Sequence, residues 1–372
     1  MTTEPTRRAK RPRWKRLIAG AAIMCIAVVL LPQYGGPRDS DCSSPPPRAP
    51  KGTTVTSVGD DGLDGDFFYG SSTKPQKALI LLGGSEGGKG WSDETEFIQE
   101  LVEHGFCVLS LGYFGTSRLP ADLRGIPLEY FARAFHWLST QKGRVVPNDY
   151  ALIGVSRGAE LALLLGSRYP EVTAVIAIAP SSVVFPGPPT GMLDALRGQH
   201  SPWSVDGKEL SFVAMPYTWT TLRGMITGKR TRMFEKALQN SGRVKKATIP
   251  VEKIQGSILL VSFTRDQIWP STLMSEQIVQ RLRGSRFRFH YEHVAYNAGH
   301  SQWSVEPCRT KILSFLKERV LTPAAKRIAR APQDATGLTA GKAMAEPDGA
   351  ANGSQPIRSE TNRTSSAAGS RR

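Results

Sequence analysis

The sequence contains little cysteine, with four residues in 372, at positions 25, 42, 107 and 308. Their spacing matches neither a zinc site, which needs paired ligands a few residues apart, nor a C-x-x-C redox pair. We therefore expect no metal site. Outside the cytoplasm, Cys42 and Cys308 would be free to form a disulfide, whereas Cys107 lies in an apolar run and is predicted to be a small buried side chain.

Acidic residues are also scarce: 32 Asp and Glu stand against 48 Lys and Arg, for a formal net charge of +16. The excess is concentrated at the ends, because residues 1–50 carry +6 and residues 320–372 carry +4. The body keeps only +6, so its charge does not indicate a nucleic-acid partner, and none is expected. Residues 323–372 are rich in Ala, Gly, Ser and Arg without apolar periodicity, which predicts a disordered tail.

No apolar run in the sequence has the length of an ordinary membrane span. Seven Lys and Arg precede an uncharged run over residues 17–31, which as a helix would measure roughly 22 Å against a hydrocarbon core of ~30 Å. A basic stretch followed by a short apolar one is typical of a secretory signal. No Ala-x-Ala cleavage site follows it, so a cleaved signal peptide and an uncleaved signal anchor both stay open. Either predicts export to the periplasm or cell envelope, with residues 1–50 as signal and linker.

From residue 77 onward, short apolar runs alternate with amphipathic helical patterns. The runs are "KALILLGG", "FCVLSLGYF", "DYALIGV", "VTAVIAIAP" and "GSILLVSF", followed by "RFRFHYEHVAY". Unbroken apolar strands separated by helices predict a mostly parallel sheet with helices on both faces. We therefore predict one α/β domain over residues 51–322. Residues 182–249 interrupt the alternation and are predicted to form a lid insertion.

The stretch Gly154-Val155-Ser156-Arg157-Gly158 matches G-x-S-x-G and lies between a predicted strand and a predicted helix. In that setting the serine sits on a tight, strained turn that projects its hydroxyl above the sheet, and the flanking glycines avoid clashes. Ser156 is therefore the candidate nucleophile.

A serine hydroxyl needs a base to take its proton, and the base needs a carboxylate to orient it. The expected chain order on such a fold is serine, acid, histidine. Asp266 follows the strand "GSILLVSF", and His300 lies in the loop after the last strand. The other five histidines lie upstream or inside a strand. We therefore predict a triad of Ser156, Asp266 and His300.

The oxyanion of an acyl-transfer reaction needs backbone N–H donors. One is expected from Arg157, directly after the nucleophile, and a second from the loop after an early strand, where Ser85 and Glu86 are the candidates. The glycines of this loop, "GGSEGGKG", lack the G-K-[ST] of a phosphate-binding loop. We therefore expect no nucleotide cofactor.

The stretches "GVSRGAELALLL", "LEYFARAFHWL", "LLVSFTRDQIWPS" and "GHSQWSVEPCRTKIL" resemble the C-terminal domain of the acyl-CoA thioesterase and bile acid-CoA:amino acid N-acyltransferase family, which is related to dienelactone hydrolases. The resemblance covers roughly residues 77–320 and implies an α/β-hydrolase fold with the triad at Ser156, Asp266 and His300. The acyltransferase branch of this family carries Cys as nucleophile, so Ser156 favours hydrolysis. Glu160 fits the family pattern G-x-S-x-G-x-E, either in a functional role or as a carboxylate satisfied within its helix.

These observations predict a serine hydrolase that cleaves an acyl ester or thioester through an acyl-enzyme. Three alternatives stay open: acyl transfer to an amine or alcohol, an envelope carboxylesterase, and a non-catalytic binding protein. Apolar side chains of the lid insertion are candidates to wall an acyl pocket; they are Phe185, Trp203, Phe212, Met215, Tyr217, Trp219 and Met225. The expected partners are the acyl substrate and, through the N-terminal segment, a membrane.

Overall fold

A computed structural model of the protein describes residues 48–189, 198–216, 218, 223, 227, 230–304, 306–321 and 339–340. The predicted signal segment and all but two residues of the predicted tail after Thr322 lie outside this part of the chain, as do three of the lid residues, Tyr217, Trp219 and Met225. Within the described residues no helix has both the length and the apolar character needed to cross a membrane.

Nine strands of the described residues form one sheet in the order β1-β2-β4-β3-β6-β7-β10-β11-β12. Strands β1 and β2 pair antiparallel, β2 joins β4 antiparallel, and every later pairing in the sheet is parallel. Their bounds are β1 Thr54–Val58, β2 Asp64–Tyr69, β3 Gln76–Leu82, β4 Phe106–Gly112, β6 Val145–Val155, β7 Val172–Ile178, β10 Ser257–Phe263, β11 Tyr291–Tyr296 and β12 Thr339–Ala340.

Helices cover both faces of this sheet. One face carries α2 (Glu129–Thr140), α3 (Arg157–Arg168) and α6 (Ser271–Gly284), and the other carries α1 (Thr95–Glu103) and α7 (Cys308–Phe315). Successive residues of a strand point to opposite faces, so Ala78, Ile80 and Leu82 of β3 join the first core while Leu79 and Leu81 join the second. The predicted α/β class is confirmed.

The first two strands were not predicted, and they lie at the antiparallel edge of the sheet. Strand β2 contains Asp64 and Asp66, both buried, with the Lys89 ammonium 3.5 Å and 3.1 Å from one oxygen of each. The Ser92 hydroxyl donates to Asp66 at 2.7 Å. Because Lys89 and Ser92 come from a distant loop, the sequence of β2 alone does not indicate a buried strand.

The insertion after β7 forms a small layer of its own beside the sheet. Strands β8 (Trp203–Val205) and β9 (Lys208–Glu209) pair antiparallel, and β5 (Ile126–Pro127) adds to β8 in parallel. Helices α4 (Thr231–Leu238) and α5 (Ser241–Ala247) follow. Phe185, Met233 and Phe234 of the insertion pack in one cluster with Trp269 and Met274, so this layer rests on the segment that follows β10.

Candidate active site

Ser156 occupies a sharp turn between β6 and α3. Its backbone has φ 57° and ψ −113°, in the region that favours glycine, although serine carries a side chain. A Cβ added at Gly154 would lie 2.0 Å from the carbonyl oxygen of Gly158, and one added at Gly158 would lie 2.1 Å from that of Leu82. Both glycines are therefore required by the close approach of backbone, as the motif predicts.

The turn is also fixed by its hydrogen bonds. The Ser156 amide donates to the carbonyl oxygen of Ile178 on β7 at 2.8 Å, while the Ser156 carbonyl accepts from the Ala159 and Glu160 amides at 3.0 and 3.1 Å. The serine is thus bound to a neighbouring strand on one side and to its own helix on the other. Strain at a position held in this way is typical of functional sites.

Asp266 and His300 lie beyond the ends of β10 and β11, and their side chains meet. The His300 Nδ1 lies 2.8 Å from the Asp266 Oδ2, and both side chains are largely buried, at 12 % and 2 % exposure. The same oxygen of Asp266 accepts from the Ser271 hydroxyl at 2.7 Å. Its other oxygen accepts from the amides of Ile268 and Trp269 at 2.9 and 3.2 Å. Four donors thus hold this carboxylate in one orientation toward the imidazole.

Trp269 connects the imidazole to the insertion after β7. Its ring lies edge-on to that of His300 with centroids 6.0 Å apart, and its Nε1 donates to the carbonyl oxygen of Ala179 at 3.0 Å. The other side of the tryptophan contacts Phe185 and Phe234. Sequence analysis did not single out Trp269, because only its contacts in space distinguish it from any other apolar residue after a strand.

The insertion is tied to the acid loop by main-chain atoms as well. The Thr231 hydroxyl at the start of α4 donates to the Asp266 carbonyl oxygen at 2.9 Å, and the Arg230 amide donates to the Gln267 carbonyl oxygen at 2.8 Å. Of the predicted pocket residues, Phe185 and Trp203 are wholly buried, while Phe212 and Met215 are half-buried. Phe185 and Trp203 therefore contribute to the core in this structure rather than to the wall of an open pocket.

The loop after β3 passes beside the nucleophile. A Cβ added at Gly84 would lie 3.4 Å from the Ser156 Cβ, and the Gly84 amide donates to the Glu86 Oε1 at 2.6 Å. Ser85 is half-buried and Glu86 is exposed. The backbone amides of Ser85 and Glu86 stay predicted oxyanion donors. The neighbouring Gly84 amide, which the sequence did not indicate, donates to the carboxylate of Glu86.

Arg157 and Glu160 form a buried ion pair on the first turn of α3, with the Arg157 Nη1 3.0 Å from the Glu160 Oε2. Glu160 also accepts from the Trp203 Nε1 at 2.8 Å and from the Phe185 amide at 3.2 Å. Burial raises the pKa of the Glu160 carboxyl, and the neighbouring Arg157 charge opposes that shift. Of the two interpretations of this glutamate, its contacts favour a satisfied carboxylate that binds the insertion after β7 to α3.

The described residues contain no group of three or more His, Cys, Asp or Glu side chains arranged to hold a metal ion. Cys107 and Cys308 are both buried and unpaired, and Cys42, the disulfide partner considered for Cys308, lies outside the described residues.

A mostly parallel sheet flanked by helices on both faces, with a serine on a strained strand-to-helix turn at its carboxyl edge, defines the class of α/β hydrolases. Within this class, residues 126–307 match the family described as "BAAT / Acyl-CoA thioester hydrolase C terminal". The predicted resemblance to this family is thereby confirmed.

Curated proteins similar to this chain come from both branches of that family. Acyl-coenzyme A amino acid N-acyltransferase 1 of Mus musculus is 29 % identical over 220 residues, which are 59 % of this chain and 47 % of that protein. Acyl-coenzyme A thioesterase 6 of Homo sapiens is 30 % identical over 183 residues, 49 % of this chain and 39 % of that protein. The chain spans about half or less of the length of these two relatives.

Among solved structures, an esterase of Pyrococcus furiosus aligns with a TM-score of 0.47 and 16 % identity, covering 72 % of this chain and 93 % of the esterase. A dienelactone hydrolase homologue from Klebsiella pneumoniae aligns with a TM-score of 0.43 and 13 % identity, covering 71 % and 96 % of the two chains.

Proposed function

We propose that this protein is a serine hydrolase that cleaves an acyl thioester or ester through an acyl-enzyme. The observation that carries the proposal is the strained conformation of Ser156, held at the carboxyl edge of the sheet. Support comes from the hydrogen bond between His300 and Asp266 at 2.8 Å, since a base with a fixed orienting carboxylate is what a serine nucleophile needs.

In the proposed mechanism, the Ser156 Oγ attacks the acyl carbonyl carbon while the His300 Nε2 takes its proton. Asp266 keeps the Nδ1 of the imidazole protonated and stabilises the imidazolium that forms. The negative charge on the carbonyl oxygen is bound by the Arg157 amide and by the loop at Gly84 and Ser85. The imidazolium then protonates the departing thiolate or alkoxide. Water, deprotonated by His300, cleaves the acyl-enzyme and regenerates Ser156.

The substrate class is proposed from the relatives, which include thioesterases that act on acyl-coenzyme A. Acyl transfer to an amine is the second candidate, because some relatives are named as amino acid N-acyltransferases. The family resemblance associates that branch with a cysteine nucleophile, and the serine at position 156 therefore favours water as the acceptor.

We also propose that the enzyme is exported and acts in the periplasm or cell envelope, attached to the membrane if the N-terminal segment is retained. Seven basic residues followed by the uncharged run at 17–31 support this proposal. Coenzyme A is an intracellular compound, so an exported enzyme would meet a simpler ester or another thioester. An envelope carboxylesterase is therefore the main alternative for the substrate, and a binding protein without turnover the least supported one.

The decisive experiment compares hydrolysis of acyl-CoA and of p-nitrophenyl esters with matched acyl chains by the full chain, with Ser156→Ala as the control. We expect hydrolysis that the variant lacks, with the variant as stable as the parent. Product analysis with added glycine separates transfer from hydrolysis, because only transfer yields an N-acyl product. Equal activity of the Ser156→Ala variant would contradict the mechanism, and turnover of the simple esters alone would favour the esterase.

The proposed location has its own measurement. Cell fractionation of the full chain is expected to place it outside the cytoplasm, and mass determination of the recovered protein decides between a removed and a retained N-terminal segment. Recovery of the intact chain from the cytoplasm would contradict export, and the proposed hydrolase mechanism would be unaffected.

A further inference from the structure

Tyr113 lies directly after β4, and its hydroxyl reaches the loop beside the nucleophile. The ring is 2 % exposed and packs against Phe131 and Trp203, with centroids 5.8 and 5.7 Å away. The hydroxyl donates to the carbonyl oxygen of Gly83 at 2.6 Å, and the carbonyl oxygen of Gly84 lies 3.3 Å from it. A buried phenol thus donates chiefly to the Gly83 carbonyl oxygen and lies within hydrogen-bond distance of the next one, so both carbonyl groups point toward it.

The direction of these carbonyl groups also fixes the direction of the N–H groups in the same peptides. In a trans peptide the C=O and N–H bonds point in opposite directions. The N–H of the Gly83–Gly84 peptide therefore points away from Tyr113, and it donates to the Glu86 Oε1 at 2.6 Å. By the same geometry the Ser85 amide points away from the tyrosine as well.

On the side of the loop that faces away from Tyr113, the carboxylate of Glu86 lies close to Ser156. A Cβ built on Gly84 would lie 2.7 Å from the Glu86 Oε2 and 3.4 Å from the Ser156 Cβ, so this carboxylate is within about 6 Å of the serine Cβ. The Gly84 amide is thus aimed at a position that a negative oxygen can occupy beside the nucleophile.

We propose that Tyr113 is a positioning residue that aims the amides of Gly84 and Ser85 at the oxyanion of the acyl-transfer reaction. This inference rests on the proposed function and adds to it the residue that sets the second half of the oxyanion site. The carboxylate of Glu86 takes the oxyanion's place at the Gly84 amide until the substrate carbonyl displaces it.

Two physical effects give the hydroxyl its role. A hydrogen bond to the carbonyl oxygen of a peptide polarises it and strengthens the N–H at its other end as a donor. It also fixes the peptide plane, so that no reorganisation is needed when the negative charge develops. Burial raises the pKa of the Tyr113 hydroxyl well above its ordinary value, so the phenol remains a donor across the pH range of the reaction.

The test uses Tyr113→Phe in the full chain, because phenylalanine keeps the ring and removes only the hydroxyl. Tyr150→Phe is the matched control: its hydroxyl is also buried and donates to a backbone carbonyl, that of Phe135 in α2 at 3.1 Å. Removing a whole oxyanion donor costs roughly 10²- to 10³-fold in kcat. Loss of its orientation alone is expected to lower kcat roughly 10-fold, with KM little changed, whereas Tyr150→Phe keeps the parent kcat.

A second readout follows the oxyanion site itself. Butylboronic acid forms a tetrahedral adduct in which the Ser156 Oγ bonds to boron, its proton passes to His300, and a boron hydroxyl occupies the oxyanion position. We expect Tyr113→Phe to weaken this adduct by about the same factor as kcat, and Tyr150→Phe to leave it unchanged. In the parent protein labelled with ¹⁵N-glycine, adduct formation should shift the Gly84 amide resonance, a measurement that does not depend on whether Tyr113→Phe folds.

The outcomes separate the two proposals. An active parent with an unchanged kcat in Tyr113→Phe, or a Gly84 resonance that stays in place when the boronate binds, would overturn the role of the tyrosine and leave the hydrolase standing. Absence of Ser156-dependent turnover in the parent would instead be a failure of the proposed function, and the role of Tyr113 would fall with it.

Discussion

The backbone strain at Ser156 leads to an unusual expectation, that glycine at this position stabilises the fold more than alanine does. The residue has φ 57° and ψ −113°, and holding a side chain in such a region costs about 1 to 3 kcal/mol. Glycine avoids that cost but loses about 0.5 to 1 kcal/mol through the greater freedom of its unfolded chain. We therefore expect Ser156→Gly to exceed Ser156→Ala in unfolding free energy by about 1 kcal/mol.

The comparison isolates the strain because both variants lack the hydroxyl. Urea unfolding followed by tryptophan fluorescence gives the two free energies, and thermal unfolding should show Ser156→Gly melting about 2 to 4 °C higher. Ala162→Gly, a buried position inside α3, serves as the control, since glycine there should destabilise by about 1 kcal/mol or more. If Ser156→Ala proves equal to or more stable than Ser156→Gly, the strained turn is not a property of the folded protein.

Three further outcomes follow from the site and its surroundings. Asp266→Asn should lower kcat by about 10⁴-fold at unchanged stability, because its amide would donate to the His300 Nδ1 and leave the proton on the wrong nitrogen; steady-state kinetics test this. Glu86→Gln should raise kcat/KM by roughly 3-fold, since a neutral acceptor competes less strongly for the Gly84 amide, and an unchanged value would contradict displacement. Burial lowers the pKa of His293 to about 4, so the unfolded state binds more protons below pH 6.5, and stability should fall by about 2 kcal/mol from pH 7.5 to 5, a loss that urea unfolding should not find in His293→Gln.

Most of the parallel sheet could be predicted from the sequence. Strands buried on both faces appear as unbroken apolar runs, and the run at 257–263 and the helix at 271–284 lie where their patterns indicate. Strand β2 could not be predicted in this way, because the buried Asp64 and Asp66 are stabilised by Lys89 and Ser92, which reach them from another part of the chain. Such compensation depends on distance in space and leaves no periodic signal.

The candidate site could likewise be predicted from the sequence only in part. Ser156 was predicted from a local motif, and Asp266 and His300 from their order along the chain; the structure brings the last two within 2.8 Å, while the catalytic roles of all three remain predictions. Tyr113 and Trp269 have no motif of their own. Tyr113 acts through a hydrogen bond to a loop about 30 residues away, and Trp269 through ring contacts with the insertion and His300.

The two halves of the site differ in what holds them. The elbow and the loop at Gly84 are fixed by backbone contacts, since a single added methyl at Gly154 or Gly158 would meet main-chain atoms at about 2 Å. The insertion is joined to its neighbours largely by side chains, since Trp269 of the acid loop packs on Phe185 and the buried pair of Arg157 and Glu160 bonds the insertion to α3. Backbone packing of this kind leaves little room for variation, whereas side-chain packing can change with one substitution. Substitutions at Gly154 or Gly158 are therefore expected to disturb the Ser156 turn itself, whereas substitutions at Trp269 or Phe185 are expected to change the packing of the insertion while that turn stays in place.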